Sequence, residues 1–284
     1  MILFKKTTDL RKYLDAQRKL GKKAGFVPTM GALHEGHLSL IRESKSEYDL
    51  TVCSIFVNPT QFNDPADYTH YPVTTEQDIS MLISAGCDLL FLPDTHEMYP
   101  EGMTARIQYD LGDMETLLEG KFRPGHFQGV CQVVDRLLKI VKPNILFLGQ
   151  KDYQQCMVID KMIELLGLKN NIQLVIGATL RETSGLAMSS RNVRLSDGDK
   201  QKATAIYQSL NYIKQHIGNT PIATLLQNTK NSLIQSGFEK VDYVAICNAQ
   251  TLDPITVFEK EMKLVALIAA FIGGVRLIDN MPLN

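Results

Sequence analysis

"PTMGALHEGHLSL", residues 28–40, is the stretch whose reading decides the fold, because an apolar strand runs into it and an amphipathic run leaves it. Upstream, "AGFVPT" (24–29) predicts a strand; downstream, "HLSLIRESKSEY" (37–48) predicts a helix. A strand, a glycine-containing turn and a helix start together form an anion-binding arrangement. The first N–H groups of the helix are free, and its dipole favours negative charge there. Gly31 and Gly36 allow the backbone to approach such a ligand closely. His34 and His37 are three residues apart and can turn toward one phosphate group. The same dipole disfavours an imidazolium, so both rings are expected to be neutral N–H donors. Spacing alone leaves two other readings open. HEGH could hold a metal, although it is one residue short of the HExxH pair and has no third ligand nearby. It could also be a capped turn that happens to contain histidine.

Working outward, short apolar runs alternate with longer amphipathic ones. Strands are predicted at "LTVCSIFVNP" (50–59), "CDLLFLP" (87–93), "NILFLG" (144–149) and "NIQLVIG" (171–177). Helices are predicted at 74–86, 130–143 and 153–167. This is the pattern of a Rossmann-like parallel sheet with crossover helices, an α/β class. Beyond it the character changes. A long polar-capped helix (196–218) and a second helix (222–237) precede two strand candidates, "KVDYVAICN" (240–248) and "KLVALIAAFIG" (263–273). Residues 1–180 are therefore expected to form the larger domain and 181–284 a smaller α+β domain, with the boundary near 178–185.

Bulk properties narrow the function. The chain has 284 residues, 44% hydrophobic and 21% charged, with a formal net charge of -1. That balance gives no support to a protein whose main business is gripping nucleic acid. The five cysteines are scattered without a CxxC pair, which argues against a zinc ribbon or a disulfide framework and for small buried hydrophobes. "MILFKKTTDLRKYL" turns charged too early for a signal peptide, and "LVALIAAFIGGV" (264–275) is too short for a membrane span. A cytoplasmic protein with no membrane association is expected.

Two further stretches carry chemistry. "RETSGLAMSSRN" (181–192) offers the hydroxyls of Ser189 and Ser190 with the flanking cations Arg181 and Arg191, a set suited to a triphosphate tail. A polar linker is the plainer reading of the same residues. "LFLGQKDYQQ" (146–155) ends a strand with Gly149, Lys151 and Asp152. Ligands of open parallel sheets bind beyond the carboxyl ends of the strands, so all three stretches could face one crevice. Lys151 there would neutralise phosphate charge as it develops.

At this point "PTMGALHEGH", "SIFVNPTQF", "RPGHFQGV", "FLGQKDYQQ" and "GLAMSSRN" resemble the signature segments of the pantoate–β-alanine ligase (pantothenate synthetase) family, and "RLIDN" (276–280) resembles its closing strand. The segments occur in order over essentially the whole chain. HEGH corresponds to the HIGH-type motif of the nucleotidyltransferase superfamily and MSSRN to its KMSKS-type signature. The resemblance implies a two-step reaction, in which pantoate attacks the α-phosphorus of ATP and the amine of β-alanine then displaces AMP from the acyl adenylate. It implies ATP contacts from Met30, Gly31, Ala32, Leu33, His34, Glu35, Gly36 and His37. Further ATP contacts are implied for Gly149, Gln150, Lys151, Asp152, the Leu180 backbone, Met188, Ser189, Ser190 and Arg191. Gln61 and Gln155 would hold pantoate, with Gln61 also near β-alanine, and His37 occupies the proton-donor position. His37, His34 and Lys151 are thus the expected catalytic groups. Mg²⁺ would be carried by ATP, no protein-held metal is expected, and a homodimer is implied. Arg123 and His126 receive no role from the resemblance. Other readings on the same fold are a transferase that leaves AMP on its product, a trimmed aminoacyl-tRNA-synthetase-like enzyme, or a nucleotide-binding regulator without catalysis. The last predicts missing motif residues, yet both histidines, Lys151, both serines and Arg191 are present.

Overall fold

The computed structural model describes residues 1–63, 65–103 and 107–284. Six strands form one sheet: β1 (Ile2–Phe4), β2 (Ala24–Thr29), β3 (Leu50–Ile55), β4 (Leu89–Phe91), β5 (Ile145–Gly149) and β6 (Gln173–Gly177). Their spatial order is β1-β4-β3-β2-β5-β6, and every pairing is parallel. Successive residues of a strand point to opposite faces, and β2 uses this fully. Phe26 joins a core with Leu10, Val134, Leu138 and Ile159 from helices Thr7–Lys19, His126–Val141 and Tyr153–Leu165. Val27 joins the opposite core with Leu38, Ile41 and Leu82 from helices Glu35–Glu47 and Thr75–Ser84. The sheet is covered on both sides, as its near-continuous apolar strands require.

The chain leaves β2 outward through β3 and β4, then returns to lay β5 and β6 on the other side of β2. The sheet therefore changes direction between β2 and β5. Their pairing covers only Gly25↔Ile145 and Phe26↔Leu146 and stops before Pro28, whose missing N–H costs no bond on that side. Pro28, Thr29, Leu148 and Gly149, past the end of the pairing, line a cavity at the carboxyl ends of the two strands.

A second sheet, antiparallel in the order β7 (Lys240–Asn248), β8 (Leu264–Ile272), β9 (Val275–Pro282), carries helices Ala205–His216 and Ile222–Gln235 on one face. Its other face packs Cys247, Val265 and Leu267 against Leu118, Tyr153 and Met157 of the first sheet's body. The architecture is the expected α/β body with a smaller α+β partner. All five cysteines are free and buried, and among the described residues no helix is long and apolar enough to cross a membrane.

Several boundaries differ from expectation for identifiable reasons. The helix expected at 130–143 begins at His126, after Gly125 in the left-handed region (φ 77°). Its first turn buries His126 and Gln128, polar residues that hide the apolar periodicity. The helix expected at 196–218 is two helices, Asp197–Ala203 and Ala205–His216, that meet at Thr204. β1 and the Thr7–Lys19 helix were not expected, and that helix buries only Leu10 and Leu14, too few to set a clear period.

The His126–Val141 helix meets the 3₁₀ turn Pro59–Gln61 at Gly129. A Cβ at this position would lie 2.3 Å from the Thr60 carbonyl oxygen and 2.9 Å from the Gln61 Cα. Backbone cannot yield as a side chain would, so Gly129→Ala is expected to cost about 2 kcal/mol and to displace Gln61. Urea denaturation checks this, and an unchanged midpoint would show the contact to be relieved elsewhere.

Candidate active site

The loop after β2 passes through Gly31 (φ 85°) and Ala32 (φ 47°), both left-handed. It is fixed by the buried carboxylate of Asp78, which accepts the N–H of Ala32 at 3.0 Å and of Leu33 at 2.8 Å, and the Thr74 hydroxyl at 3.0 Å. These two N–H groups are therefore engaged with the protein. Gly31, Ala32 and Leu33 stand behind the cleft wall, whereas Met30, His34, Gly36 and His37 line it. Glu35 also faces away, paired with Arg42 on the exposed side of its helix.

The helix begins at Glu35, two residues earlier than the pattern suggested, with His34 as its N-cap. His34 Nδ1 accepts the Gly36 N–H at 3.1 Å, and His37 Nδ1 accepts the His34 N–H at 3.3 Å. This is a reciprocal capping box built from two imidazoles. A Cβ on residue 36 would lie 2.9 Å from the His34 ring, so the cap requires glycine there. A ring nitrogen that accepts a hydrogen bond carries no proton, which places the proton of each neutral ring on Nε2. The rings lie 4.0 Å apart. Burial lowers the pKa of His34 to about 4, assisted by Lys151, and that of His37 to about 3, assisted by His34. The expected neutrality is present, with burial as its main cause. Each ring retains an Nε2–H for a ligand.

Across the crevice, β5 ends at Gly149 and the turn Gln150–Asp152 follows. Lys151 Nζ is 3.8 Å from Asp152 Oδ1, and both line the cleft with Gln155. Gln150 does not line it. Its side-chain amide donates to Asn280 Oδ1 at 3.2 Å, while Asn280 Nδ2 donates to the Gln150 and Lys151 carbonyls at 2.9 Å each. Strand β9 thus holds the lysine turn from the second body.

The 189–191 segment closes a third side. Ser189 Oγ accepts the Arg191 N–H at 3.3 Å, Ser190 Oγ lies 3.3 Å from the Tyr71 hydroxyl, and Arg191 pairs with Asp67 at 2.9 Å. Met188 and Leu180 line the cleft and share a backbone bond, Met188 N–H to Leu180 carbonyl at 3.0 Å. Arg181, grouped with Arg191 in the sequence, is placed elsewhere. It pairs bidentately with Asp279, donates to the Gly185 carbonyl, lies 4.1 Å over the Tyr207 ring and, unlike Arg191, lines neither part of the cleft.

Gln61 is buried beside Met30, its Nε2 2.8 Å from the Met30 sulfur. Asn58 Nδ2 donates to Gln61 Oε1 at 3.4 Å and to the Gly129 carbonyl at 3.2 Å, and Asn58 Oδ1 accepts the Tyr99 hydroxyl. His126 Nδ1 donates to the Gln61 carbonyl at 2.7 Å, which leaves its Nε2 to accept from Arg123 Nη1 at 3.1 Å. Burial, then the charge of Arg123, lowers the pKa of His126 to about 3. Sequence reasoning missed Asn58, Tyr71, Asp78 and Asn280 as parts of the site. Asn58-Pro59 offers a signal, but in the sequence it reads only as a strand end.

The space divides into a chamber of about 230 Å³ around the histidines and Gln61 and an adjoining one of about 360 Å³. Glu119, Arg123, Lys151, Asp152, Ser189 and Arg191 border both. Among the described residues no group of three or more His, Cys, Asp or Glu side chains could hold a metal.

A family model described as "Pantoate-beta-alanine ligase" matches residues 2–282. A pantothenate synthetase of Cytophaga hutchinsonii is 43% identical over 99% of both chains. One from Leptospira interrogans serovar Lai is 44% identical over 100% of this chain and 99% of its own. A crystal structure of pantothenate synthetase from Thermus thermophilus superposes with a TM-score of 0.92 at 39% identity, covering 100% of this chain and 99% of its own. The pantoate-β-alanine ligase of Francisella tularensis, complexed with "Beta-gamma ATP" and β-alanine, superposes with a TM-score of 0.83 at 39% identity, over 100% and 98%.

The buried imidazoles generate a pH prediction. Unfolded, each takes a proton near its ordinary pKa of 6.5; folded, each does so only near 3 or 4. Between these limits the unfolded chain binds more protons, so stability rises with pH across that window. The contribution is complete above pH 6.5 and is lost as acid approaches the folded values. The urea midpoint is expected to be lower at about pH 5 than at about pH 7.5, and His126→Gln should flatten the dependence. Equal midpoints at the two pH values would mean the rings are not held neutral.

Proposed function

We propose how the cleft is used from one premise: the chain belongs to the pantoate–β-alanine ligase family. Its reaction is the ATP-dependent condensation of pantoate with β-alanine to pantothenate, with AMP and pyrophosphate as the other products. The observation that carries the assignment of roles is the facing of two neutral imidazoles and Lys151 across the crevice, beside a pocket whose polar groups are Gln61 and Gln155.

A carboxylate is already an adequate nucleophile, so the first step needs alignment and charge neutralisation rather than a general base. In our reading, the α- and β-phosphates lie against the Nε2–H groups of His34 and His37 and the Lys151 ammonium. The phosphate tail reaches Ser189, Ser190 and Arg191, and the base and ribose lie along Gly149, Asp152, Leu180 and Met188. Gln61 and Gln155 hold pantoate through neutral hydrogen bonds, which fix its hydroxyls and carboxylate without an ion pair that would quench the nucleophile. A pantoate oxygen bonds to the α-phosphorus as the bond to pyrophosphate breaks. The β-alanine nitrogen then bonds to the acyl carbon as the acyl–oxygen bond breaks, releasing AMP and a proton. His37 acts as a hydrogen-bond donor, since its ring carries no second proton at neutral pH. Mg²⁺ would arrive on the triphosphate and supply charge neutralisation there, with Asp152 as the cleft carboxylate nearest the lysine.

The same reading makes residues 1–180 the ATP- and pantoate-binding body and 181–284 a lid. It places the enzyme in the cytoplasm, with which five free cysteines agree, and carries over the homodimer from the family.

Pantoate and ATP alone are expected to give pyrophosphate, and AMP with pantothenate should follow once β-alanine is added. His37→Ala should slow the single-turnover adenylation about 10²-fold. No pantoate-dependent pyrophosphate would overturn the reading, and a lasting AMP adduct in the product mass would change the reaction class.

A further inference from the structure

The charges that border the cleft do not balance locally. Glu119 is buried and gives both carboxylate oxygens to Arg276, at 2.7 Å each, and also accepts the Tyr243 hydroxyl at 2.8 Å. Asp67 is divided between Arg191 at 2.9 Å and Arg194 at 3.4 Å. Asp279 is committed to Arg181. Arg123 lies one helical turn from Glu119, with its N–H on the Glu119 carbonyl at 2.8 Å, yet among the described residues its guanidinium forms no ion pair. Among the same residues its side-chain hydrogen bond goes to the neutral His126, at 3.1 Å. Burial and the neighbouring Arg191 and Arg276 outweigh the attraction of Glu119 and lower its pKa to about 10. A buried cation in that state is stabilised by an anion placed beside it.

Geometry narrows the choice of anion. His126 fixes Arg123 to the Gln61 backbone, so the guanidinium stands at the Gln61 wall of the smaller chamber and also borders the larger one. The phosphate tail already has Lys151, the two serines and Arg191. Pantoate's own carboxylate is consumed in the adenylation. The remaining charged group is the carboxylate of the amino-acid substrate, which must enter with its amine toward the acyl carbon.

Resting on the reaction above, we infer that Arg123 is the specificity-determining anchor for the β-alanine carboxylate, held in place by the Arg123–His126–Gln61 chain. A guanidinium takes a carboxylate through two parallel N–H bonds, each charge-assisted and stronger than a neutral one. The anchor also explains how the cleft could prefer an amino acid to a simple amine, since the uncharged amine leaves Arg123 without its partner.

The test separates the half-reactions. Pantoate-dependent ATP–pyrophosphate exchange needs no β-alanine and reports folding, nucleotide and pantoate binding together. For Arg123→Gln this exchange is expected to stay within about twofold of the unaltered enzyme. The KM for β-alanine should rise roughly 10- to 100-fold, and the preference for β-alanine over β-alaninamide should fall by the same factor. Arg123→Lys, which keeps the charge but not the fork, should recover part of both losses. A fall in exchange that parallels the fall in overall rate would place Arg123 on the phosphates or in the fold and overturn the inference. So would an unchanged preference for the acid over the amide. Absence of exchange in the unaltered enzyme would instead remove the reaction on which the inference rests.

Discussion

The carboxylate of Asp78 joins two elements that the sequence keeps 45 residues apart, accepting the Leu33 N–H from one while bonded to Thr74 at the start of its own helix. The geometry of the site follows from that bond. Ala32 is held at φ 47°, a region that costs a non-glycine residue of the order of 1 kcal/mol. A buried carboxylate without its donors would cost more, so turn and carboxylate hold each other in place. With the turn fixed, the helix can begin only at Glu35, and His34 falls at the N-cap rather than within the helix. The reciprocal bonds of His34 and His37 then dictate the tautomer of both rings, and hence which nitrogen can meet a ligand.

The second constraint is the allocation of charge. The carboxylates around the cleft are largely committed to arginines that join the two bodies or the lining segments: Asp279 to Arg181, Glu119 to Arg276, Asp67 to Arg191. These pairs lie between elements distant in sequence and fix their relative placement, with Asn280 performing the same task through neutral bonds to the lysine turn. Lys151, whose nearest carboxylate is a loose 3.8 Å away, and Arg123 are left to give the cleft a positive field. In the proposed reading such a field would attract ATP and pantoate, both anionic, while the chain as a whole carries a net charge of only -1.

What the sequence revealed and what it hid divide along physical lines. The parallel sheet was legible because its strands are buried on both faces and read as apolar runs, "TVCSI" and "ILFL" among them. The strand-to-helix junction that carries His34 and His37 was legible because its glycines interrupt an apolar run just before an amphipathic one, although spacing alone did not choose among a phosphate, a metal and a plain capped turn. Arg181 was misplaced because a one-dimensional reading sees two cations flanking one loop. Only the fold shows that Asp279, 98 residues away, neutralises one of them. Asp78 and Asn280 were invisible for the same reason: each acts by accepting or donating backbone bonds across the fold, and an acid inside a helix carries no mark of what it will cap. Gln150 sits in a signature segment yet faces β9, so membership in a motif does not by itself place a side chain on the ligand.

The neutrality of the two imidazoles bears on how such a site can release what it makes. Cations at both positions would hold the triphosphate strongly before reaction and pyrophosphate equally strongly after it, and binding that is uniform along the reaction does not raise its rate. In the proposed reading, neutral Nε2–H donors would bind the ground state more weakly and gain as charge gathers on the bridging oxygen of the departing pyrophosphate. Burial supplies that neutrality, because the charged form of a ring packed in the cap would lose its hydration with Lys151 close by. The cap of one helix therefore fixes the direction of the donors, and the burial of the same cap fixes their charge.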